Sequence, residues 1–352
     1  MTCDQSDILL TEQEAQRLFS ILGYMTNFRS PKKQKYTLDD CREFAPFTLA
    51  INRLKKEKGA IILAHYYSNP EITFGIADFR GDSYALSKQA ADARENIIVF
   101  CGVSFMAETA KIISPQKKVY LPALKAGCSL ADAVSEQDVI NLKARYPKAQ
   151  VICYINSTAA VKAQSDICVT SSNVYDIVAA SPAEQIIFIP DIYMADNIKI
   201  ELDRRGIKKE IIPFGGTCCV HDKYTPKLVE ETRQKYPQAK IICHPECPSD
   251  VCLLCDFVGS TSAMIKYVRQ TPAVEFAILS EDGIVNTMQY ENTEKVFYNY
   301  SRTCGSMKRN TLANTLAVLQ NPAPEAEIIV EAQVAQNAKR AIDNMFKEVE
   351  KK

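Results

Sequence analysis

Three cysteines share one address in this chain. Cys128, Cys218 and Cys304 each close a short segment, Leu124-Lys-Ala-Gly-Cys128, Phe214-Gly-Gly-Thr-Cys218 and Tyr300-Ser-Arg-Thr-Cys304, and stand 90 and 86 positions apart. Thiolates are soft ligands suited to zinc or to an iron–sulfur cluster. A structural zinc closes with four ligands, whereas three thiols, the last followed by Gly305-Ser-Met-Lys308 and not by a nearby fourth cysteine of ferredoxin type, suit a [4Fe–4S] cube with one iron free of protein. Such an iron binds and polarises a substrate hydroxyl or carboxylate, as a Lewis acid does. The plainer alternative is that Cys merely fits a tight corner of a repeated architecture. Against it, the chain has 13 cysteines and the other ten fall elsewhere; most of those read as small buried hydrophobes.

The histidines follow the same period. There are only 3. His65 and His244 end two apolar runs, Ala60–His65 and Ile241–His244, and Tyr154 ends the run between them, at intervals of 89 and 90. His221 lies three residues after Cys218. A lone histidine is usually a satisfied structural residue, but coincidence accounts poorly for all of them at repeat landmarks. Glu246, two residues after His244, is the best candidate for proton transfer, its alternative being a surface carboxylate.

The elements that must position these groups repeat about every ninety residues. Each apolar run is short and aliphatic, as expected for a strand buried on both faces of a parallel sheet. A small polar turn follows in each copy: Gly81-Asp-Ser83, Thr170-Ser-Ser-Asn173 and Gly259-Ser-Thr-Ser262. The Ser, Thr and Asn residues of these turns are natural N-caps for the helices that follow, and the exposed amides of the helix starts at Ser83, Ser171 and Ser260-Thr261 suit a carboxylate or phosphate. A further strand follows in each copy, at 97–100, 186–189 and 275–279. The fold class expected is therefore α/β: three homologous α/β/α (Rossmann-like) units with parallel sheets around a pseudo-threefold axis. The units run over 58–130, 131–219 and 220–304. A mainly helical extension occupies 1–57, and helices in 305–352, including an amphipathic tail from Glu325, are expected to pack back on the first unit.

Composition sets the outer limits. The 352 residues are 47% hydrophobic, ample for such cores. Basic and acidic residues balance at 42 each, so no nucleic-acid or membrane surface is indicated. No apolar run reaches the roughly 20 residues of a bilayer span, and the acidic N-terminus is unlike a signal peptide. The expectation is a cytoplasmic protein whose thiols stay reduced.

Two rival readings concern other residues. Cys243, Cys247, Cys252 and Cys255 lie within thirteen positions, a pattern that taken alone suggests zinc or a redox sensor. Because Cys243 falls in an apolar strand and the last two in the next helix, they are read as structural. A nucleotide-binding protein is disfavoured, since no GxGxxG or Walker motif opens any helix.

Ten segments carry a resemblance: AHYYSNPEI (64–72), GDSYAL (81–86), VFCGVSFMAETAKI (99–112), LKAGCSLADA (124–133), YINSTAAVKA (154–163), TSSN (170–173), GGTCCVHDKYTP (215–226), HPECP (244–248), DFVGSTS (256–262) and CGSMKRNTL (304–312). Together they resemble the bacterial quinolinate synthases from about residue 58 to 313. The resemblance implies a transferase of NAD biosynthesis that condenses iminoaspartate with dihydroxyacetone phosphate to quinolinate, losing phosphate and water. It implies one [4Fe–4S] cluster per chain on Cys128, Cys218 and Cys304, with Cys218 preferred over Cys219. The substrate site it implies comprises His65, Tyr67, Ser83, Tyr154, Asn156, Ser171, His221, His244, Glu246 and Thr261. Among these, His65, His244, Ser83, Ser171 and Thr261 anchor carboxylate or phosphate, and Tyr67, Tyr154 and Asn156 orient the intermediate. Glu246, Tyr67 and His221 form the catalytic set. Partners implied are transient ones, L-aspartate oxidase and iron–sulfur assembly proteins, with the chain a monomer or homodimer. Some relatives carry a CxxCxxC before the third ligand; this chain does not, so no regulation through that motif is expected.

Overall fold

The computed structural model describes residues 5–27 and 34–351. Twelve strands form three sheets, each of four parallel strands. The first holds β1 (Ala60–His65), β2 (Phe79–Gly81), β3 (Ile97–Cys101) and β4 (Lys118–Tyr120) in the order β2-β1-β3-β4. The second holds β5 (Gln150–Tyr154), β6 (Ile167–Val169), β7 (Gln185–Ile189) and β8 (Glu210–Pro213), ordered β6-β5-β7-β8. The third holds β9 (Lys240–Cys243), β10 (Phe257–Val258), β11 (Glu275–Leu279) and β12 (Val296–Tyr298), ordered β10-β9-β11-β12. One topology thus occurs three times. The central strands are aliphatic because helices cover both faces: Ile62, Leu63, Ile152 and Ile242 are fully buried. Each such side chain contributes about 1.5–3 kcal/mol relative to exposure.

Polar devices repeat with the sheets. Asp78, Asp166 and Asp256 each turn a carboxylate back to accept the amide hydrogen of Ile62, Val151 or Ile241, at 2.8, 2.8 and 2.9 Å. Each clamp fixes the loop between first and second strand. Lysines recur at helix ends. Lys117 donates to the carbonyls of Ala90 and Ala93, Lys209 to those of Ser181 and Ala183, and Lys295 to those of Val268 and Thr271. An ammonium there satisfies orphan carbonyls and opposes the negative end of the helix dipole.

Helix starts depart from expectation. Asp82, not Ser83, caps the helix Ser83–Asp92, accepting from the Ala85 amide at 3.0 Å. Asn173 rather than Ser171 stands at the cap position of Val174–Ala180, and its side chain instead accepts from the Thr170 amide. Only Ser260 caps as read, accepting from Ala263 at 3.2 Å. The sequence could not rank neighbouring cap formers, since Asp, Asn and Ser are near equivalents. The result leaves Ser83 and Ser171 available for other contacts.

The chain ends brace the units. Helices Gln5–Leu22 and Leu38–Lys58 pack on each other, and the second of these lies against β1. Thr26 donates its amide to Oδ1 of Asn286 in the third unit at 3.0 Å and accepts from Nδ2 of the same side chain at 3.3 Å. Helix Leu312–Gln320 packs on Leu38–Lys58 beside the first unit. The last helix does not: Ala332–Glu350 lies mainly on Ala159–Ala163 and β6 of the second unit, and also touches Ser104–Ile113 of the first. Its apolar stripe of Ala338, Ala341, Ile342 and Met345 is wholly buried. An amphipathic stripe shows that a helix docks, not where.

Candidate active site

Carboxyl ends of parallel strands are where open α/β sheets bind ligands. Here the ends of all three sheets face one cavity of about 320 Å³. All thirteen residues singled out from the sequence line it: His65, Tyr67, Ser83, Cys128, Tyr154, Asn156, Ser171, Cys218, His221, His244, Glu246, Thr261 and Cys304.

Each cysteine comes from an equivalent corner. The carbonyls of Cys128, Cys218 and Cys304 accept from the amides of Asp132, Asp222 and Lys308 at 3.0, 2.9 and 3.1 Å, opening short 3₁₀ turns at Ala131–Ala133, His221–Lys223 and Met307–Arg309. The thiols are free. Burial pushes those of Cys128 and Cys304 up to about 12 and about 11, and that of Cys218 well above its usual value. Buried thiols remain protonated unless a cation joins them; a metal or iron–sulfur group would supply that charge and release the protons. The donor set is soft and lines the same cavity as the hydroxyls and imidazoles, a chemistry that suits a metal or iron–sulfur group. A nearby subset also has metal-ligand spacing: donor atoms of Cys218, His221 and Glu246 all lie within 4.8 Å of one another.

Glu246 is the hub of the polar wall, 4% exposed. It accepts from the Tyr154 hydroxyl at 2.6 Å and from Asn156 at 3.3 Å, and its other oxygen lies 2.8 Å from Nδ1 of His221. Burial opposes its charge, but the imidazoles of His244 and His221 and the hydrogen bonds from His221 and Tyr154 outweigh it, holding the carboxyl well below its usual range. It is an ionised carboxylate in a dry setting. His65 and His244 are lowered to about 3, chiefly by burial, so each presents a neutral ring. Nε2 of His244 meets the Ser171 hydroxyl at 3.2 Å, and its Nδ1 accepts from the Glu246 amide at 3.3 Å. Nδ1 of His65 accepts from the Tyr67 amide at 3.1 Å. The Tyr67 hydroxyl meets Thr261 at 3.0 Å and Ser280 at 3.1 Å.

A family described as NadA, quinolinate synthetase A protein, matches residues 49–347. The chain belongs to this family. Among its relatives, the quinolinate synthase of Clostridioides difficile is 43% identical over 302 residues, covering 85% of this chain and 97% of that one. The quinolinate synthase of Caldicellulosiruptor saccharolyticus is 44% identical over 298 residues, 84% of this chain and 96% of its own. That of Caulobacter vibrioides is 40% identical over 318 residues, 89% and 85% respectively. The family match takes in every cavity residue named above.

Several residues in or behind the cavity wall were not evident from the sequence. Glu281, fully buried, accepts from the amides of Cys304 and Gly283 at 2.9 and 2.6 Å and pairs with Lys308 at 3.1 Å. Lys308 in turn donates to the Tyr67 carbonyl at 2.7 Å. Arg309 lines the cavity and donates to the Lys125 carbonyl. Ser280 stands just past β11, between Tyr67 and His221. The landmarks of the sequence fall at first-strand ends, at the turns after second strands and at the cysteine corners, whereas Ser280 and Glu281 follow the third strand of the third unit.

Of the other cysteines, Cys219 also lines this cavity, whereas Cys243, Cys247, Cys252 and Cys255 do not. Cys243 and Cys252 have sulfurs 3.7 Å apart and sit with Cys247 in the core of Tyr224, Val229 and Val251, with Cys255 half-buried beside them. Among the described residues, three mutually close ligand atoms are found at Cys218, His221 and Glu246 and not here. No helix among the described residues is long and apolar enough to cross a membrane.

Proposed function

We propose that this chain condenses iminoaspartate with dihydroxyacetone phosphate to form quinolinate, releasing phosphate and water, in the synthesis of NAD. The observation that carries the proposal is the meeting, in one cavity, of three equivalent thiols with an ionised buried carboxylate and a ring of neutral imidazoles and hydroxyls. Cys128, Cys218 and Cys304 would hold a [4Fe–4S] cluster. When bound, such a cluster supplies a Lewis-acid iron that polarises a substrate oxygen and aids loss of water.

The remaining chemistry belongs to the chain. Both substrates are anions, and Ser83, Ser171 and Thr261 offer hydroxyls near helix starts to receive carboxylate or phosphate oxygens. His65 and His244 add donors without a charge. Glu246 accepts a proton from carbon or oxygen as the chain of substrate atoms isomerises and dehydrates, and Tyr154 and Asn156 hold that carboxylate in place. Tyr67 and His221 flank it and orient the intermediate. Burial keeps bulk water from competing for these hydrogen bonds.

The test is direct. Protein purified and reconstituted without oxygen should convert the two substrates, the first generated in place by an aspartate oxidase, into quinolinate identified by mass. Failure with a full iron complement would refute the reaction.

A second reading has one observation behind it, the close grouping of Cys218, His221 and Glu246. A single zinc ion there would have three ligands and an open position, as hydrolytic sites do. It predicts one zinc and no sulfide per chain.

A further inference from the structure

Ser280 is 1% exposed and lies behind the cavity wall, not among the residues that face it. Its hydroxyl stands 3.1 Å from Nε2 of His221 and 3.1 Å from the Tyr67 hydroxyl. Counting donors and acceptors orients the whole chain of contacts. Nδ1 of His221 faces the carboxylate of Glu246 at 2.8 Å, an acceptor only, so it carries the ring proton. Nε2 is then bare and accepts. Ser280 has one hydroxyl proton and gives it to Nε2, which leaves its lone pairs to accept from Tyr67. Thr261, 3.0 Å from the Tyr67 oxygen, keeps its own proton for that oxygen or for a bound anion.

We infer that Ser280 is a positioning residue for the proposed reaction, on which this inference rests: it locks the His221 tautomer toward Glu246 and the Tyr67 hydroxyl against the cavity wall. The order carboxylate, imidazole, hydroxyl is that of a hydrolase triad, but here the hydroxyl is turned away from the cavity and serves as a brace, not a nucleophile. Without it, a buried ring nitrogen loses its partner and the imidazole can move its proton to Nε2. A bare Nδ1 then meets the lone pairs of Glu246, and the group that must accept a proton is displaced. Tyr67 at the same time loses the acceptor that sets its rotation. Both consequences fall on orientation, so turnover should suffer rather than binding.

The test uses the iron-loaded enzyme as wild type and in a set of Ser280 and Tyr67 variants. Ser280→Ala should lower kcat by about 10- to 100-fold, the usual loss when an outer partner of a site is removed. KM and iron content should stay near those of the wild type, because Ser280 touches neither substrate nor the three thiols. Ser280→Thr, which restores the hydroxyl, should recover most of the rate. In a Tyr67→Phe background the serine replacement should cost less than it does alone, because the two act as one unit. Should the alanine variant not fold, Ser280→Cys keeps the volume and weakens the hydrogen bonds, and its kcat should fall in smaller degree. Full turnover in Ser280→Ala, loss of iron with it, no rescue by threonine, or independent multiplying losses with Tyr67→Phe would each overturn the role. A wild type that makes no quinolinate defeats the proposed reaction itself, a result none of the Ser280 outcomes can mimic.

Discussion

Glu281 accepts the amide hydrogen of Cys304 across 2.9 Å, from a carboxylate with no exposed surface. The same carboxylate pairs with Lys308, and Lys308 reaches the carbonyl of Tyr67. One buried charge therefore ties the third cysteine's corner to a loop of the first unit.

Removing that tie should loosen the cluster before it harms the fold. Glu281→Gln keeps the volume and one acceptor oxygen but drops the charge facing Lys308. Iron should be lost to a chelator about 10- to 100-fold faster than from wild type, the scale of outer-partner effects on metal sites. Iron release followed by absorbance checks this; an unchanged rate contradicts it.

Glu246→Gln tests the proton acceptor. The amide still accepts from Tyr154 but cannot take a proton. Quinolinate formation should fall by about 10²- to 10⁴-fold, with iron content unchanged. Steady-state rates beside an iron assay on the same sample decide it.

A stability prediction follows from the repeated clamps. Asp256 accepts from the Ile241 amide at 2.9 Å. Burial raises its pKa, yet that amide together with Arg233 and Lys240 lowers it further, and the net shift is downward. A depressed carboxyl stabilises the fold above its unfolded value of about 3.9, and this is lost as pH falls through the lower, folded value. Asp256→Ala should therefore destabilise by about 1–3 kcal/mol at neutral pH, and its deficit should shrink as the solution is acidified below about pH 4. Denaturant unfolding at several pH values measures both. A deficit that grows on acidification would contradict the sign.

Replacing Cys255 by Ser should alter neither iron content nor rate. Its neighbours Cys243, Cys247 and Cys252 fill a hydrophobic core, and the cavity lies elsewhere. Zinc bound by wild type and lost in this variant would show that the four cysteines form a metal site after all.

The sequence revealed the threefold plan because period-ninety landmarks survive in residue type: Cys at one corner, His or Tyr at strand ends, small polar residues at turns. The Asp78, Asp166 and Asp256 clamps and the Lys117, Lys209 and Lys295 caps keep the same spacing and were legible in principle. They were passed over because exposed-looking Asp and Lys are common and only the fold turns them inward. Ser280 and Glu281 left no trace of their role, since their partners at residues 67, 221 and 304 lie far off in sequence, the first of them in another unit. The docking site of the final helix was likewise unreadable: its stripe states how much surface is buried, not which unit receives it.

The central claim is that Cys128, Cys218 and Cys304 act together on one cluster. Iron and acid-labile sulfide should be counted per chain after anaerobic reconstitution, in wild type and in each Cys→Ala variant. The account predicts about four of each in wild type, with the cluster and quinolinate formation lost together in all three variants. A wild type without sulfide, or a Cys128→Ala or Cys304→Ala protein that keeps its full iron and its rate, would contradict it.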